Sequence, residues 1–391
     1  MTTSLAIILI FGLAANAIFK KIGLPGLLGM LLLGIVLGPN MLNWLDGDLL
    51  RISGDLRKIA LIIILLRAGL GISKSQLAKV GATAIKMSCI PGILEGLTIA
   101  LVSMWLFDFS FIEGGILGFT LAAVSPAVVV PLMLKYQDMR LGVKKGIPTL
   151  ILASASIDDV FAITIFTTFL GLYGGSKINV GIELLNIPIS ILLGIILGVI
   201  FGLILVKLFK NFHIRDTRKV MIILGIAIII TAIENALKNK LEIAGLLGVM
   251  AIGFIILEKR PIVANRLSLK FDKLWVFAEL ILFVLVGSQV NIQVAIQAGM
   301  KGLLIIFIGL CARSIGVLIS TLGTKLNYKE RLFCVVAYIP KATVQAAIGA
   351  IPLGLGLPAG EIILAIAVLS ILVTAPLGSI AINTTAEKLL T

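Results

Sequence analysis

The stretch TLAAVSPAVVVPLML, residues 120–134, places two prolines inside an apolar segment that is long enough to cross a membrane. Proline has no backbone N–H, and it disfavours helical geometry in the residue before it. We therefore expect a membrane helix that is interrupted at Pro126, whereas Pro131 is equally compatible with an ordinary kink. An interruption leaves the carbonyl groups near Val124 and Ser125 without helical partners, and such oxygens are suitable ligands for a dehydrated cation.

A second proline interrupts the apolar stretch CVVAYIPKATVQAAIGAIP, residues 334–352, near the other end of the chain. Each break leaves helix ends near the midplane, and Lys341, directly after Pro340, is expected to neutralise the carbonyl ends that face it. Interrupted helices in corresponding positions of two halves are typical of inverted-repeat membrane proteins with a binding site near the midplane. The alternative, a pair of ordinary proline kinks, is left open.

The composition confines the chain to a membrane. Of its 391 residues, 59% are hydrophobic and 13% are charged, and the mean hydropathy is +1.17, so a water-soluble surface is excluded. A helix needs about 20 apolar residues to cross a bilayer. Thirteen segments approach or exceed this length, at approximately 3–19, 25–43, 57–72, 80–106, 111–134, 146–171, 181–206, 220–237, 242–257, 274–289, 295–322, 332–350 and 362–386. The first has no basic region or cleavage site of a secretory signal, so we expect it to be retained.

The basic residues are divided unequally between the two sides that thirteen spans define. One set of alternate loops, together with the C-terminus, carries 22 Lys and Arg residues, and the opposite loops carry 7. Cytoplasmic loops are enriched in Lys and Arg, so we expect the N-terminus outside and the C-terminus in the cytoplasm, in the cytoplasmic (inner) membrane. The same loops account for the net charge of +14, and no nucleic-acid partner is expected. The seven basic residues on the expected outer side are Arg51, Arg57, Lys58, Lys177, Lys238, Lys240 and Lys301.

Charged residues that remain at membrane depth are functional candidates, because an unpaired charge there costs several kcal/mol. The opposite charges of Glu95 and Arg313 predict a structural ion pair. Arg67 and Lys86 lie nearer to the ends of their spans, and we expect their long side chains to extend to the water. The role of Glu279 is left open.

The sequence SASIDDVFAITIF, residues 154–166, places two adjacent carboxylates in the middle of a span. Neighbouring residues on a helix point about 100° apart, so one carboxylate can face a cavity while the other faces a packed helix. Two acids this close cannot both ionise cheaply in a low dielectric, so one of them is expected to hold a proton that a cation can displace. We therefore predict a Na⁺ and proton site at Asp158 and Asp159, with Ser154 and the residues of the first break as neighbouring ligands. A purely structural role remains an alternative, mainly for Asp158.

Three motifs together carry a resemblance to a known family. They are AAVSPAVVVP at 122–131, KKGIPTLILASASIDDVFAIT at 144–164 and YIPKATVQAAIGAIP at 338–352. Over essentially its full length the chain resembles the sodium/proton antiporters of the cation:proton antiporter superfamily, of the NHA type. The resemblance implies that Asp159 is the main carboxylate for the cation and the proton, with Asp158 beside it.

The resemblance also implies an architecture. It implies a fold of inverted repeats in which two discontinuous helices cross, a homodimer in membrane lipid, and no other protein partner. The dimerisation domain is expected at 1–79 and 220–290, the core ion-transport domain at 80–171 and 291–391, and a linker helix at 172–219.

Four functional classes compete for this pattern. A channel would line a pore with rings of carbonyls or acids, and an intramembrane aspartyl protease needs two aspartates that converge from different helices. A sodium-coupled organic solute symporter of similar fold is the main alternative, but it does not need adjacent acids on one helix. We therefore expect a secondary active transporter that exchanges Na⁺ or Li⁺ for H⁺. It is not expected to be an enzyme, and three isolated cysteines without metal-ligand spacing give no indication of a cofactor.

The stoichiometry of exchange depends on which basic residue faces the aspartates. Electrogenic relatives place a lysine on the span that here carries Arg313, so the sequence departs from them. Arginine does not release its proton in proteins, and this favours electroneutral exchange. Lys341 is the alternative, because a lysine at the second break that approached Asp158 would be able to titrate. The choice among sodium, lithium and potassium is left open.

Overall fold

The computed structural model describes residues 1–22, 24, 26–72, 74–174, 180–237, 243–290 and 292–390, and all regular structure in these ranges is helical. One short 3-10 helix lies at Val143–Lys145. The α helices are α1 (Thr2–Lys21), α2 (Gly26–Leu37), α3 (Gly47–Arg51), α4 (Ser53–Gly69), α5 (Lys74–Phe107), α6 (Phe111–Leu121), α7 (Pro126–Asp138), α8 (Ile147–Tyr173), α9 (Val180–Asn211), α10 (Asp216–Leu237), α11 (Gly245–Lys259), α12 (Pro261–Ser288), α13 (Ile292–Ser320), α14 (Tyr328–Ala337), α15 (Thr343–Ile348), α16 (Ile351–Gly354) and α17 (Gly360–Leu389).

Each of the thirteen apolar segments contains a helix, and the prediction of an all-α polytopic membrane protein is confirmed. Within the described ranges, seven helical stretches are long and apolar enough to cross a membrane on composition and length alone. The main difference is α12, which begins at Pro261 and not at 274. Its basic first turns suggested a loop, but proline at the first helical position is favourable, and a helix can continue beyond the bilayer into water.

Both interrupted helices are present, as the prolines predicted. In the first, α6 ends at Leu121 and α7 begins at Pro126, where the missing N–H of proline costs nothing because the first turn has no helical acceptor. In the second, α14 ends at Ala337, Pro340 lies in the gap, and α15 begins at Thr343. Pro131 lies inside α7 and does not break it.

The two breaks cross in direct contact. The backbone N–H of Ser125 donates a 2.8 Å hydrogen bond to the carbonyl of Pro340. Around this crossing the helices pack closely: a Cβ built on Gly118 of α6 would lie 2.1 Å from the carbonyl oxygen of Gly96 on α5. A side chain at Gly118 would therefore push these two backbones apart.

The expectation that Arg67 extends to the water is wrong. Arg67 lies at the end of α4 and its side chain is only 9% exposed, because two carboxylates on neighbouring helices compensate its charge there. Arg67 Nη2 lies 2.7 Å from Asp138 on α7, and Nε lies 2.6 Å from Asp272 on α12. Lys86 lies on the surface of α5, and its extension to the water stays a prediction.

Three basic residues that the charge count assigned to the outer side, Lys177, Lys238 and Lys240, lie outside the described residues.

Candidate cation-binding site

Asp158 lies on α8 directly against the first break. Its side chain is 1% exposed, and Oδ2 accepts a 2.8 Å hydrogen bond from the backbone N–H of Val124. Arg313 Nη2 lies 2.7 Å from the same oxygen. Asp158 therefore uses one carboxylate oxygen to hold both the break and a guanidinium group.

Arg313 on α13 connects the two breaks. Besides Asp158, its guanidinium binds Glu95 of α5, with Nη1 at 2.8 Å from Oε2. It also donates to two backbone carbonyls, those of Ala122 in the first break and Tyr338 in the second. The contact between Glu95 and Arg313 that the sequence suggested is present. The planar guanidinium has five N–H donors, and it divides them among four groups.

Lys341 does not pair with Asp158. Its Nζ lies 2.7 Å from Glu95 Oε1 and donates a 2.6 Å hydrogen bond to the carbonyl of Leu121, the last residue of α6. The side chain is fully buried. The carbonyl that Lys341 binds therefore belongs to the first break and not to the second, where Lys341 itself lies. The basic residue that faces Asp158 is Arg313.

These four residues form a cluster whose charges balance. Arg313 and Lys341 supply two positive charges, and Glu95 and Asp158 supply two negative charges. Asp159 stands outside this balance. Among the residues that the structure describes, no partner donates a hydrogen bond or forms an ion pair with it, and its Oδ1 is buried without a partner.

Several further oxygens around the first break have unused acceptor capacity. The hydroxyl of Ser125 and Oδ1 of Asp158 are buried and make no hydrogen bond, and no described residue donates to the carbonyl of Val124. The hydroxyl of Ser154, one turn before Asp158 on α8, donates to the carbonyl of Leu150 at 2.6 Å. Hard monovalent cations prefer such oxygen ligands.

The sequence analysis missed two buried residues of this region. Gln345 on α15 donates to carbonyls of the first break, and the hydroxyl of Thr374 on α17 accepts the backbone N–H of Lys341 at 2.9 Å. Both are uncharged and lie outside the aspartate motif and the residues next to Pro126, so their sequence positions gave no indication of a role. Glu279, which the sequence left open, forms no ion pair with any residue in the described ranges.

Comparisons with known proteins agree with the three motifs. Residues 5–388 match the family described as sodium/hydrogen exchanger, transmembrane. The chain is 35% identical to sodium/hydrogen exchanger 9B2 of Homo sapiens, over 94% of this chain and 70% of that protein. It is 31% identical to human sodium/hydrogen exchanger 9B1, over 94% of this chain and 73% of that protein.

Solved structures give the same answer for the fold. The sodium proton antiporter MjNhaP1 from Methanocaldococcus jannaschii, at pH 8, superposes with a TM-score of 0.78 over 98% of this chain and 97% of that chain, at 22% identity. The resemblance drawn from the motifs is therefore confirmed, together with the antiporter fold of two crossing discontinuous helices. The chain belongs to the sodium/hydrogen exchanger family.

Proposed function

We propose that the chain exchanges Na⁺, or Li⁺, for H⁺ by alternating access and that Asp159 is the group that binds either ion. The observation that carries this proposal is the charge balance at the first break. Glu95 and Asp158 each face a basic partner, whereas Asp159 faces none in the described structure. One negative charge therefore remains to be neutralised.

A proton and a sodium ion neutralise that charge equally well, but they cannot occupy Asp159 together. The empty carboxylate is costly at membrane depth, which disfavours movement of the unloaded site across the bilayer. Competition for one carboxylate therefore couples the two ions. The unpartnered oxygens of Ser125, Asp158 and Val124 supply further ligands for sodium, with Ser154 beside them.

A sodium-coupled organic solute symporter is not favoured. Its fold would tolerate the same breaks, but no feature of the described site calls for an organic substrate, and the relatives above carry the name of exchangers. Those relatives are transporters, which also argues against an enzyme.

The architecture is part of the proposal. Residues 1–79 and 220–290 form a dimerisation domain, residues 80–171 and 291–391 form the ion-transport core, and 172–219 contains the linker helix. In support of this division, the four residues of the charge cluster and Asp159 all come from the two core ranges. We further propose a homodimer, as the resemblance implies, and an orientation in the cytoplasmic membrane with the N-terminus outside, as the loop charges indicate.

The test is Asp159→Asn in proteoliposomes that contain a pH-sensitive dye. An amide has neither a titrating proton nor a full negative charge, so sodium-driven proton movement should be lost while the protein stays folded. Asp48→Asn is the matched control, because Asp48 is an exposed aspartate on α3, and it should retain wild-type exchange. Retained exchange in Asp159→Asn would reject the proposal.

A further inference from the structure

Gln345 is buried at the point where the two breaks cross. Its side chain is 1% exposed, and its amide nitrogen lies 3.0 Å from the carbonyl oxygen of Ala123, 3.3 Å from that of Thr120 and 3.4 Å from that of Leu121. An amide nitrogen has two hydrogens, so the short contact to Ala123 is the principal bond and the other two carbonyls share the second hydrogen.

Three consecutive carbonyls at the end of α6 thus receive donors from the second half of the chain. The carbonyl of Leu121 accepts a hydrogen bond from the side chain of Lys341. The carbonyl of Ala122 accepts one from Arg313, and that of Ala123 accepts one from Gln345. The last carbonyls of a helix have no partner within the helix, and orphaned carbonyls are costly in a membrane interior. Gln345 differs from Lys341 and Arg313 because its amide group carries no charge.

The contact to Ala123 acts on the cation site through one peptide group. The carbonyl of Ala123 and the N–H of Val124 belong to the same planar unit, which rotates as a whole. Gln345 holds the carbonyl side of this unit, and Asp158 holds its N–H side at 2.8 Å. The next peptide carries the carbonyl of Val124 and leads to Ser125, which are two of the oxygens that we propose as sodium ligands.

We propose that Gln345 is a positioning residue for sodium. It fixes the Ala123–Val124 peptide between its own amide and Asp158, and thereby sets the spacing of the oxygens at the first break relative to Asp159. Because its amide is neutral, it satisfies the carbonyl without adding a charge to the balanced cluster. This inference rests on the proposed function, since it concerns the affinity of the same site.

The inference predicts that a change at Gln345 affects the binding of sodium but not the binding of protons. Sodium needs several oxygens at fixed spacing, whereas a proton needs only the carboxylate of Asp159. Gln345→Met keeps the length and volume of the side chain but removes the donor. We expect the KM for sodium to rise about tenfold, the effect of losing one buried hydrogen bond, while kcat and the inhibition constant for protons stay within about twofold of wild type.

The experiment measures sodium-driven proton flux in proteoliposomes over a series of sodium concentrations and pH values. Ser370→Ala is the matched control, because it removes a buried hydroxyl of α17 that bonds within its own helix; its kinetic constants should not change. Gln345→Asn retains the amide but is one methylene too short to reach Ala123. It should reproduce the effect and serves if the methionine variant does not fold.

Failure of the proposed function and failure of this inference give different results. Absence of exchange in the wild-type protein would refute the proposed function itself. Wild-type exchange combined with an unchanged sodium KM in both Gln345 variants would overturn the inference. An equal change in the sodium and proton constants would overturn it as well, because it would indicate a general loss of structure at Asp159.

Discussion

Membrane potential should not drive this exchanger. The charge cluster carries no net charge with Arg313 and Lys341 protonated and Glu95 and Asp158 ionised. Asp159 adds one negative charge, which either a proton or a sodium ion cancels. The loaded site is then neutral in both directions of the cycle, and one proton is exchanged for one sodium ion.

Electrogenic exchange, in which Lys341 carries a second proton, would instead make the equilibrium sodium ratio depend strongly on membrane potential. If Lys341 released its proton whenever sodium bound, each cycle would move one net charge across the membrane. A potential of about 100 mV contributes roughly 2.3 kcal/mol per elementary charge, and this would shift the equilibrium sodium ratio about 50-fold. The structure favours the absence of this shift, because Lys341 is paired with Glu95 and bound to the carbonyl of Leu121 rather than placed against Asp158.

The assay uses proteoliposomes in which potassium and valinomycin set the potential. The sodium and proton gradients at which net flux stops are compared at imposed potentials of opposite sign. We expect the same null point at both. A null point that moves with potential would refute the charge count, and loss of that movement in Lys341→Gln would identify Lys341 as the second proton carrier.

Three other outcomes are expected. Since one proton competes with one sodium ion at Asp159, the apparent sodium KM should rise by up to about tenfold per pH unit on the acid side; a KM that does not depend on pH would indicate separate sites. In a protein whose native cysteines are replaced, Arg215→Cys should react with an impermeant thiol reagent from the cytoplasmic side, and labelling from outside would contradict the proposed orientation. Gly118→Ala should cost about 1–3 kcal/mol and lower the thermal midpoint, because its Cβ would lie 2.1 Å from the carbonyl of Gly96, whereas Gly225→Ala, with nothing within 4 Å, should not.

The helices and both breaks were predictable because their causes are local. An apolar run of membrane length requires a helix, and Pro126 and Pro340 interrupt it by removing donors at fixed positions. The burial of Arg67 was not predictable in this way. Its partners Asp138 and Asp272 lie 71 and 205 residues away in sequence, and only the packing of α4 against α7 and α12 brings them together.

The charged residues of the site could be predicted from the sequence, but its uncharged residues could not. The pairing of Glu95 with Arg313 followed from the need to compensate two buried charges. Intramembrane charge alone could not decide whether Arg313 or Lys341 reaches Asp158, because both lie near the breaks. Gln345 gave no signal at all, since a glutamine in an apolar span becomes informative only when the carbonyls that it binds are known.

The crossing of the two breaks also constrains how the protein is made. Leu121, Ala122 and Ala123 emerge from the ribosome 220, 191 and 222 residues before the side chains that bind their carbonyls. At about 5–20 residues per second, these carbonyls wait on the order of 10 to 45 seconds for their donors. The end of α6 therefore cannot acquire these donors until the second half of the chain has been synthesised.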